Sequence, residues 1–328
     1  MAVQGYAVAS DTGRKRRRNE DNYVVAPPLF AVADGMGGAQ AGEVASKLAA
    51  STLERGDDRA SLRGAEGVAA LIREANRRVY ERATSDPAAS GMGTTMTVAV
   101  VDGMTVVIGH VGDSRAYLVR EGTMEQLTED HSLVNELLKS GKLSPEEAHT
   151  HPQRSVITRA VGTDPDVDVD AFAIEAREGD VFLLCSDGLT DMVEDEDILE
   201  LVERHRDDLD RAVKALVAAA NRGGGEDNIT AVAFRMAPEA AAEETMRLPA
   251  QAEPDEVTME AVPPEPAVDT MVIPPDRIDA ELLEAGSPEA RAAARREPID
   301  TTARIRLVLT MVGLLAVAVA LLAWGLLR

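Results

Sequence analysis

Cysteine is almost absent. The 328 residues contain one, Cys185, which excludes a disulfide framework and a cysteine-based zinc site. It sits in the apolar run Val181-Phe-Leu-Leu-Cys185, where a small core residue is expected. Aromatics are also scarce, at 3% of the chain, with one Trp, four Tyr and four Phe. Hydrophobic residues still reach 45%, so the core must be built mostly from Ala, Val, Leu and Ile. Basic residues fall short of acidic ones, 34 Lys and Arg against 57 Asp and Glu, giving a net charge of -23. Such a chain repels polyanions, and no nucleic-acid partner is expected. The opening Met1-Ala-Val-Gln-Gly5 lacks the charged start and apolar run of a secretory signal. The main domain is therefore expected in the cytoplasm.

Composition divides what is there into three parts. Residues 1–236 alternate short Val-rich strands, turn signals and amphipathic helices. Strands are expected at Gly5–Ser10, Asn22–Val25, Leu29–Ala33, Thr94–Val101, Thr105–Val111, Ala116–Arg120, Val167–Ile174, Val181–Cys185 and Asn228–Arg235. Helices are expected at Ala41–Arg55, Gly64–Thr84, His131–Ser140, Asp195–Arg204 and Leu209–Asn221. Strands come in runs, so the expected class is α+β, with antiparallel sheets flanked by helices. Residues 237–303 hold sixteen acidic residues against five Arg, with much Ala and Pro. This segment reads as a disordered acidic linker. Residues 304–328 contain the uncharged run Leu307–Leu327, long enough for one C-terminal transmembrane helix.

Acidic residues recur beside the apolar strands. They stand in Asn19-Glu20-Asp21, at Asp34-Gly35 after Leu29–Ala33, and at Asp187-Gly188 after Val181–Cys185. Two more clusters lie in Gly112-Asp113-Ser114 and Glu226-Asp227-Asn228. A single Asp-Gly is a turn signal. Several acids at the ends of strands of one sheet can instead converge, and converging carboxylates repel unless a cation lies between them. With no Cys cluster and no paired His, the ligand set is all oxygen and suits Mg2+ or Mn2+. Two such ions can activate a water toward phosphorus. A glycine after the acid lets a backbone carbonyl approach an ion closely. The basic run Arg14-Lys15-Arg16-Arg17-Arg18 offers a guanidinium for a phosphate dianion.

These stretches, in this order, resemble the PPM (PP2C-type) family of metal-dependent protein phosphatases in its bacterial form. The matching segments are Arg16–Asp21, Val32–Gly38, Gly93–Thr95 and Gly109–Tyr117. Thr128–Ser132, Ile157–Gly162, Leu184–Leu189 and Glu226–Thr230 complete the set. The resemblance implies a sandwich of two antiparallel sheets with the metals at one edge. It implies Asp34 bridging two Mn2+ or Mg2+ ions, with the Gly35 carbonyl on one. Asp187 and Asp227 would complete the other, and Glu20 and Asp21 would contribute directly or through water. Asp113 would hold a third ion with Asp187, and Arg16 would bind substrate phosphate. Residues from Asp130 to about Thr163 match the variable flap beside the site. Met36 stands where animal members carry a His, so the leaving-group proton is expected from metal-bound water or from a flap residue such as His131.

The implied activity is hydrolysis of phosphoserine and phosphothreonine in proteins, by in-line attack of a metal-activated hydroxide. The alternatives are a phosphoprotein-binding pseudophosphatase and a small-molecule phosphoesterase. Family analogy adds a membrane Ser/Thr kinase and its targets as partners, with a monomeric catalytic domain. Arg291, Arg295, Arg296, Arg304 and Arg306 precede the apolar run and only Arg328 follows. That bias orients the anchor in the inner membrane with the catalytic domain cytoplasmic. The linker repeats Thr before Met at Thr245-Met246, Thr258-Met259 and Thr270-Met271, three candidate acceptors for a partner kinase.

Overall fold

The computed structural model describes residues 3–37, 41–55, 64–144, 147–148, 151–237 and 271–272. They all belong to one compact unit, Met1–Arg277. Apart from Ala237 and Met271–Val272, the expected linker and the expected membrane helix lie outside these residues. Among the described residues no helix is long and apolar enough to cross a membrane.

In chain order the strands are β1 (Val3–Asp11), β2 (Asn22–Ala26), β3 (Leu29–Ala33), β4 (Gly35–Met36), β5 (Gly93–Thr94), β6 (Met96–Asp102) and β7 (Thr105–Val111). They continue as β8 (Arg115–Arg120), β9 (Thr123–Gln126), β10 (Val156–Ile157), β11 (Asp170–Glu175), β12 (Val181–Cys185), β13 (Ile229–Met236) and β14 (Met271–Val272). The helices are α1 (Ala41–Glu54), α2 (Gly64–Ser85), α3 (Leu133–Lys139), α4 (Asp187–Thr190), α5 (Asp195–Arg204) and α6 (Leu209–Gly223).

Two five-stranded sheets form the sandwich, in the orders β1-β13-β12-β8-β9 and β11-β7-β6-β3-β2. Every pairing within both is antiparallel. The period of two along a strand decides what each side chain meets. On β3, Phe30 and Val32 point into the layer between the sheets, while Leu29, Ala31 and Ala33 meet α1 and α2. On β12, Phe182 and Leu184 enter the same central layer, while Val181, Leu183 and Cys185 meet α5 and α6. Three of the four Phe residues stack at the centre. Phe234 lies on Phe30 at 4.3 Å and on Phe182 at 5.1 Å between ring centroids. Small aliphatic residues fill the rest, as the composition requires. Cys185 is fully buried, and burial pushes its thiol up to about 12.

The sequence expectations differ from this fold at a few places. The strand expected over Thr94–Val101 is interrupted, because Thr95 turns out of the ladder and its N–H bonds the Asp34 carbonyl at 2.8 Å. The helix expected from His131 starts at Leu133, since Ser132 is its N-cap and accepts from the Asn135 N–H at 3.3 Å. The strand expected from Val167 starts at Asp170. The short elements β4, β5, β9, β10 and α4 carry too few residues for periodicity to show.

Candidate metal centre

The acids sit where strands of both sheets end. Asp34 follows β3, Asp21 precedes β2, Asp113 lies between β7 and β8, Asp187 opens α4 after β12, and Asp227 precedes β13. Antiparallel order brings these ends to one edge of the sandwich. Asp34 feels the negative charges of Asp21, Asp187, Asp227 and Asp113, so all five share one field. Burial first, and then this mutual repulsion, pushes the carboxyls of Asp34 and Asp187 well up. Burial raises Asp21 to about 6, and Asp113 to about 7 with help from Asp130 and Asp191.

The backbone around each acid is pinned. The Asp34 N–H donates to Thr95 Oγ1 at 2.9 Å, and its carbonyl accepts from Thr94 Oγ1 at 2.7 Å. Thr95 Oγ1 also bonds Ser114 Oγ at 2.7 Å, beside Asp113. Thr94-Thr95 thereby ties the loops of Asp34 and Asp113 together. Ser186 stands just before α4 and donates to Asp21 Oδ2 at 2.8 Å, tying Asp21 to the turn that carries Asp187.

Gly35 has a second reason to be glycine besides carbonyl access. A Cβ there would overlap the Gly42 carbonyl oxygen and stand 2.6 Å from that of Glu20. The start of α1 and the loop of Glu20 therefore pack directly on the Asp34-Gly35 turn.

Arg16 reaches the cluster from the β1–β2 loop, where Nη2 donates to Asp227 Oδ2 at 2.7 Å. Burial opposes its charge, but Asp227, Asp34 and Asp187 outweigh this, so the guanidinium pKa is raised. Glu20 is held through its backbone, its N–H donating to Asn228 Oδ1 at 2.7 Å.

A cavity of about 990 Å3 opens beside Asp113 and Asp187. The flap residues Arg154 and Ser155, with Thr190 of α4 and Asp191 just after it, also line it.

This architecture has known relatives. Residues 15–230 match the family described as Protein phosphatase 2C. The chain belongs to the protein phosphatase 2C family. It is 43% identical over 233 residues to the serine/threonine protein phosphatase PstP of Mycobacterium tuberculosis, a match covering 70% of this chain and 44% of that protein. The chain thus spans less than half the length of this relative. It is 42% identical over 231 residues to the serine/threonine phosphatase stp of Listeria monocytogenes, covering 67% of this chain and 91% of that protein. Among solved structures it superposes on the PstP catalytic domain in complex with two manganese ions. The TM-score is 0.67 at 39% identity, over 72% of this chain and 100% of that one. The PPM phosphatase MsPP of Mycobacterium smegmatis, in complex with cacodylate, gives 0.64 at 36% identity, over 72% of this chain and 100% of that one.

The site fits the family's divalent ions. Asp21 Oδ1 and Asp187 Oδ1 are buried with no hydrogen-bond partner, acceptors of the kind an oxygen-seeking cation satisfies. Among the described residues no group of three or more His, Cys, Asp or Glu side chains is arranged to hold an ion by itself. Magnesium-like cations take only one or two carboxylates each and keep several waters, so a spread set of acids suits them.

His131 does not fit the role of leaving-group acid. Its Nδ1 accepts from the Gly112 N–H at 3.0 Å, and its Nε2 lies between Arg159 Nη1 at 3.0 Å and Asp170 Oδ2 at 3.1 Å. Both nitrogens are committed, and burial and Arg159 hold its pKa down. Met36 packs against Ile157 and Ala160, joining the turn after Asp34 to the flap.

Two contributors carry little signal in the sequence. Asn228 is the hub of the β1–β2 loop, with Nδ2 donating to the carbonyls of Thr12 and Arg18 at 2.9 Å each. Its only sequence signal is its place next to Asp227. Asp191 stands one helical turn after Asp187 and lines the same cavity, 3.6 Å from Arg154. The i, i+4 spacing was the available clue.

Proposed function

We propose that this chain is a metal-dependent serine/threonine protein phosphatase; its relatives are named serine/threonine phosphatases, and one of them is solved with two manganese ions. The observation that carries the reading is the convergence of Asp21, Asp34, Asp113, Asp187 and Asp227 on one sheet edge, with Arg16 bound to Asp227. Asp34, Asp187 and Asp227 would hold two Mn2+ or Mg2+ ions, with the Gly35 carbonyl, Asp21 and Glu20 assisting. Asp113 would serve a third ion with Asp187. Bound there, the ions would supply charge neutralisation and an activated water for phosphomonoester hydrolysis.

The chain's own residues do the rest. Arg16 presents a planar fork of donors at the acid cluster and would orient phosphate oxygens. Thr94, Thr95 and Ser186 fix the acids so that no reorganisation is needed at the moment of reaction. The open cavity on the flap side leaves room for a peptide beside the phosphate.

The test is hydrolysis of p-nitrophenyl phosphate and of a phosphothreonine peptide with Mn2+. Asp34→Asn, Asp187→Asn and Asp227→Asn should each abolish turnover, EDTA should silence the parent, and Arg16→Ala should mainly raise KM. Full activity of Asp34→Asn would end the two-metal account. We further propose that the run Leu307–Leu327 anchors the enzyme in the membrane with the catalytic domain cytoplasmic, near a membrane kinase and its targets. Recovery of the full-length protein in the soluble fraction would overturn the anchor.

A further inference from the structure

The flap strand β10 (Val156–Ile157) has two neighbours. On one side Ile157 bridges Ser132. On the other, β14 pairs with it in parallel, Val156 opposite Met271 and Ile157 opposite Val272. β14 comes from the acidic segment, with 34 residues, 237–270, between it and the end of β13. It belongs to the same compact unit as the catalytic fold. Its Met271 is the Met of the third Thr-Met repeat, a motif that the catalytic reading leaves unexplained.

The place of this pairing matters for the site. Ile157 is fully buried and packs on Met36, two residues after Asp34. Arg154 and Ser155, just before β10, line the cavity shared with Asp113 and Asp187. The strands are parallel, so β14 runs in the same sense as the segment that leaves this cavity. An extended peptide in the same register would place the residues ahead of its paired dipeptide on the cavity side.

Resting on the phosphatase reading above, we propose that the edge of β10 away from Ser132 is a docking strand for extended peptide segments, and that the chain's own Met271–Val272 occupies it as an internal competitor of phosphoprotein substrates. A strand edge presents a row of N–H and C=O groups that seek partners. Main-chain pairing with an added strand satisfies them without demanding a particular side chain. The internal segment suits the role because a threonine precedes its two apolar residues in sequence and because it is tethered. Being part of the same chain, it meets β10 as an intramolecular partner, whatever the protein concentration. A contact two residues long is weak, so it competes with substrates without shutting the enzyme off.

The experiment compares the full-length protein with the double variant Met271→Pro, Val272→Pro, which removes two backbone donors and opposes strand pairing. Both changes lie outside the catalytic core, so the rate on p-nitrophenyl phosphate, which has no peptide to dock, should not change. KM for a phosphothreonine peptide should fall about threefold with kcat unchanged, as expected for release of a weak tethered competitor. A synthetic Val268–Pro274 peptide added to the variant should raise KM again. Amide exchange at Val156 and Ile157 should be faster in the variant. An unchanged or raised peptide KM, with p-nitrophenyl phosphate hydrolysed normally by both proteins, would overturn the docking. Failure of both proteins to hydrolyse either substrate with Mn2+ would instead overturn the phosphatase reading on which it rests.

Discussion

Asn228 offers the sharpest test of how the site is held. It is buried, and its amide makes three bonds to one loop: to the Glu20 N–H at 2.7 Å and to the Thr12 and Arg18 carbonyls at 2.9 Å. That loop carries Arg16 and leads into Asp21. Asn228→Ala removes all three bonds and leaves an N–H and two carbonyls to find other partners. At about 1 kcal/mol for each lost bond, the cost is about 3 kcal/mol. For a domain of this size that lowers Tm by roughly 6–12 °C. A displacement of Arg16 by about 1 Å should also cut kcat/KM for p-nitrophenyl phosphate about 100-fold. Asn228→Asp should be worse than Ala in stability at neutral pH. It keeps one acceptor but sets a carboxylate oxygen against two carbonyls and adds a charge beside Asp227. Thermal denaturation and steady-state kinetics read both effects. An Ala variant that loses less than about 1 kcal/mol and keeps its activity would refute the idea that Asn228 organises the site.

Gly35→Ala should cost about 2–3 kcal/mol in urea denaturation and most of the activity, because the new Cβ meets backbone at Gly42 and Glu20, which cannot rotate away; a parent-like midpoint would count against direct backbone packing there. The stabilisation that Mn2+ gives over the chelated protein should grow as pH rises from about 4 to 7. Burial raises the folded carboxyls of Asp21 to about 6 and Asp113 to about 7. In metal-free protein these groups therefore hold protons that the unfolded chain has released, and their contribution worsens through that window. His110, pushed down to about 3 chiefly by burial, acts in the opposite sense, but does so in both forms and cancels in the difference. A Mn2+-induced Tm shift that is flat across this range would contradict the buried acid cluster. Asp113→Ala should lower the rate and weaken Mn2+ dependence at high concentration while leaving two-metal turnover in place; an unchanged Mn2+ titration would remove Asp113 from catalysis.

The layers and the chemistry are legible in the order of residues along the chain. The unbroken apolar runs Leu29–Ala33 and Val181–Cys185 dictate strands buried on both faces, because successive side chains point oppositely and all are apolar. The spacing of Leu209, Ala212, Val213, Leu216, Val217 and Ala220 dictates a helix with one buried face. Acids placed beside strand ends, with one Cys and no paired His, already limited the site to oxygen ligands. Contacts between residues far apart in the chain arise only on folding. Asn228 holding Thr12 and Arg18, Thr95 holding Asp34 and Ser114, and Met36 meeting Ile157 leave no periodic trace, since each depends on which loops the sheet order brings together. His131 shows the same limit. Its position in Thr128–Ser132 reads as that of a flap residue, and only packing against the Gly112 N–H, Arg159 and the Asp170 carboxylate commits both of its nitrogens. β10 and β14 are two residues each, too short for any pattern, and exist because each supplies the other's backbone partners.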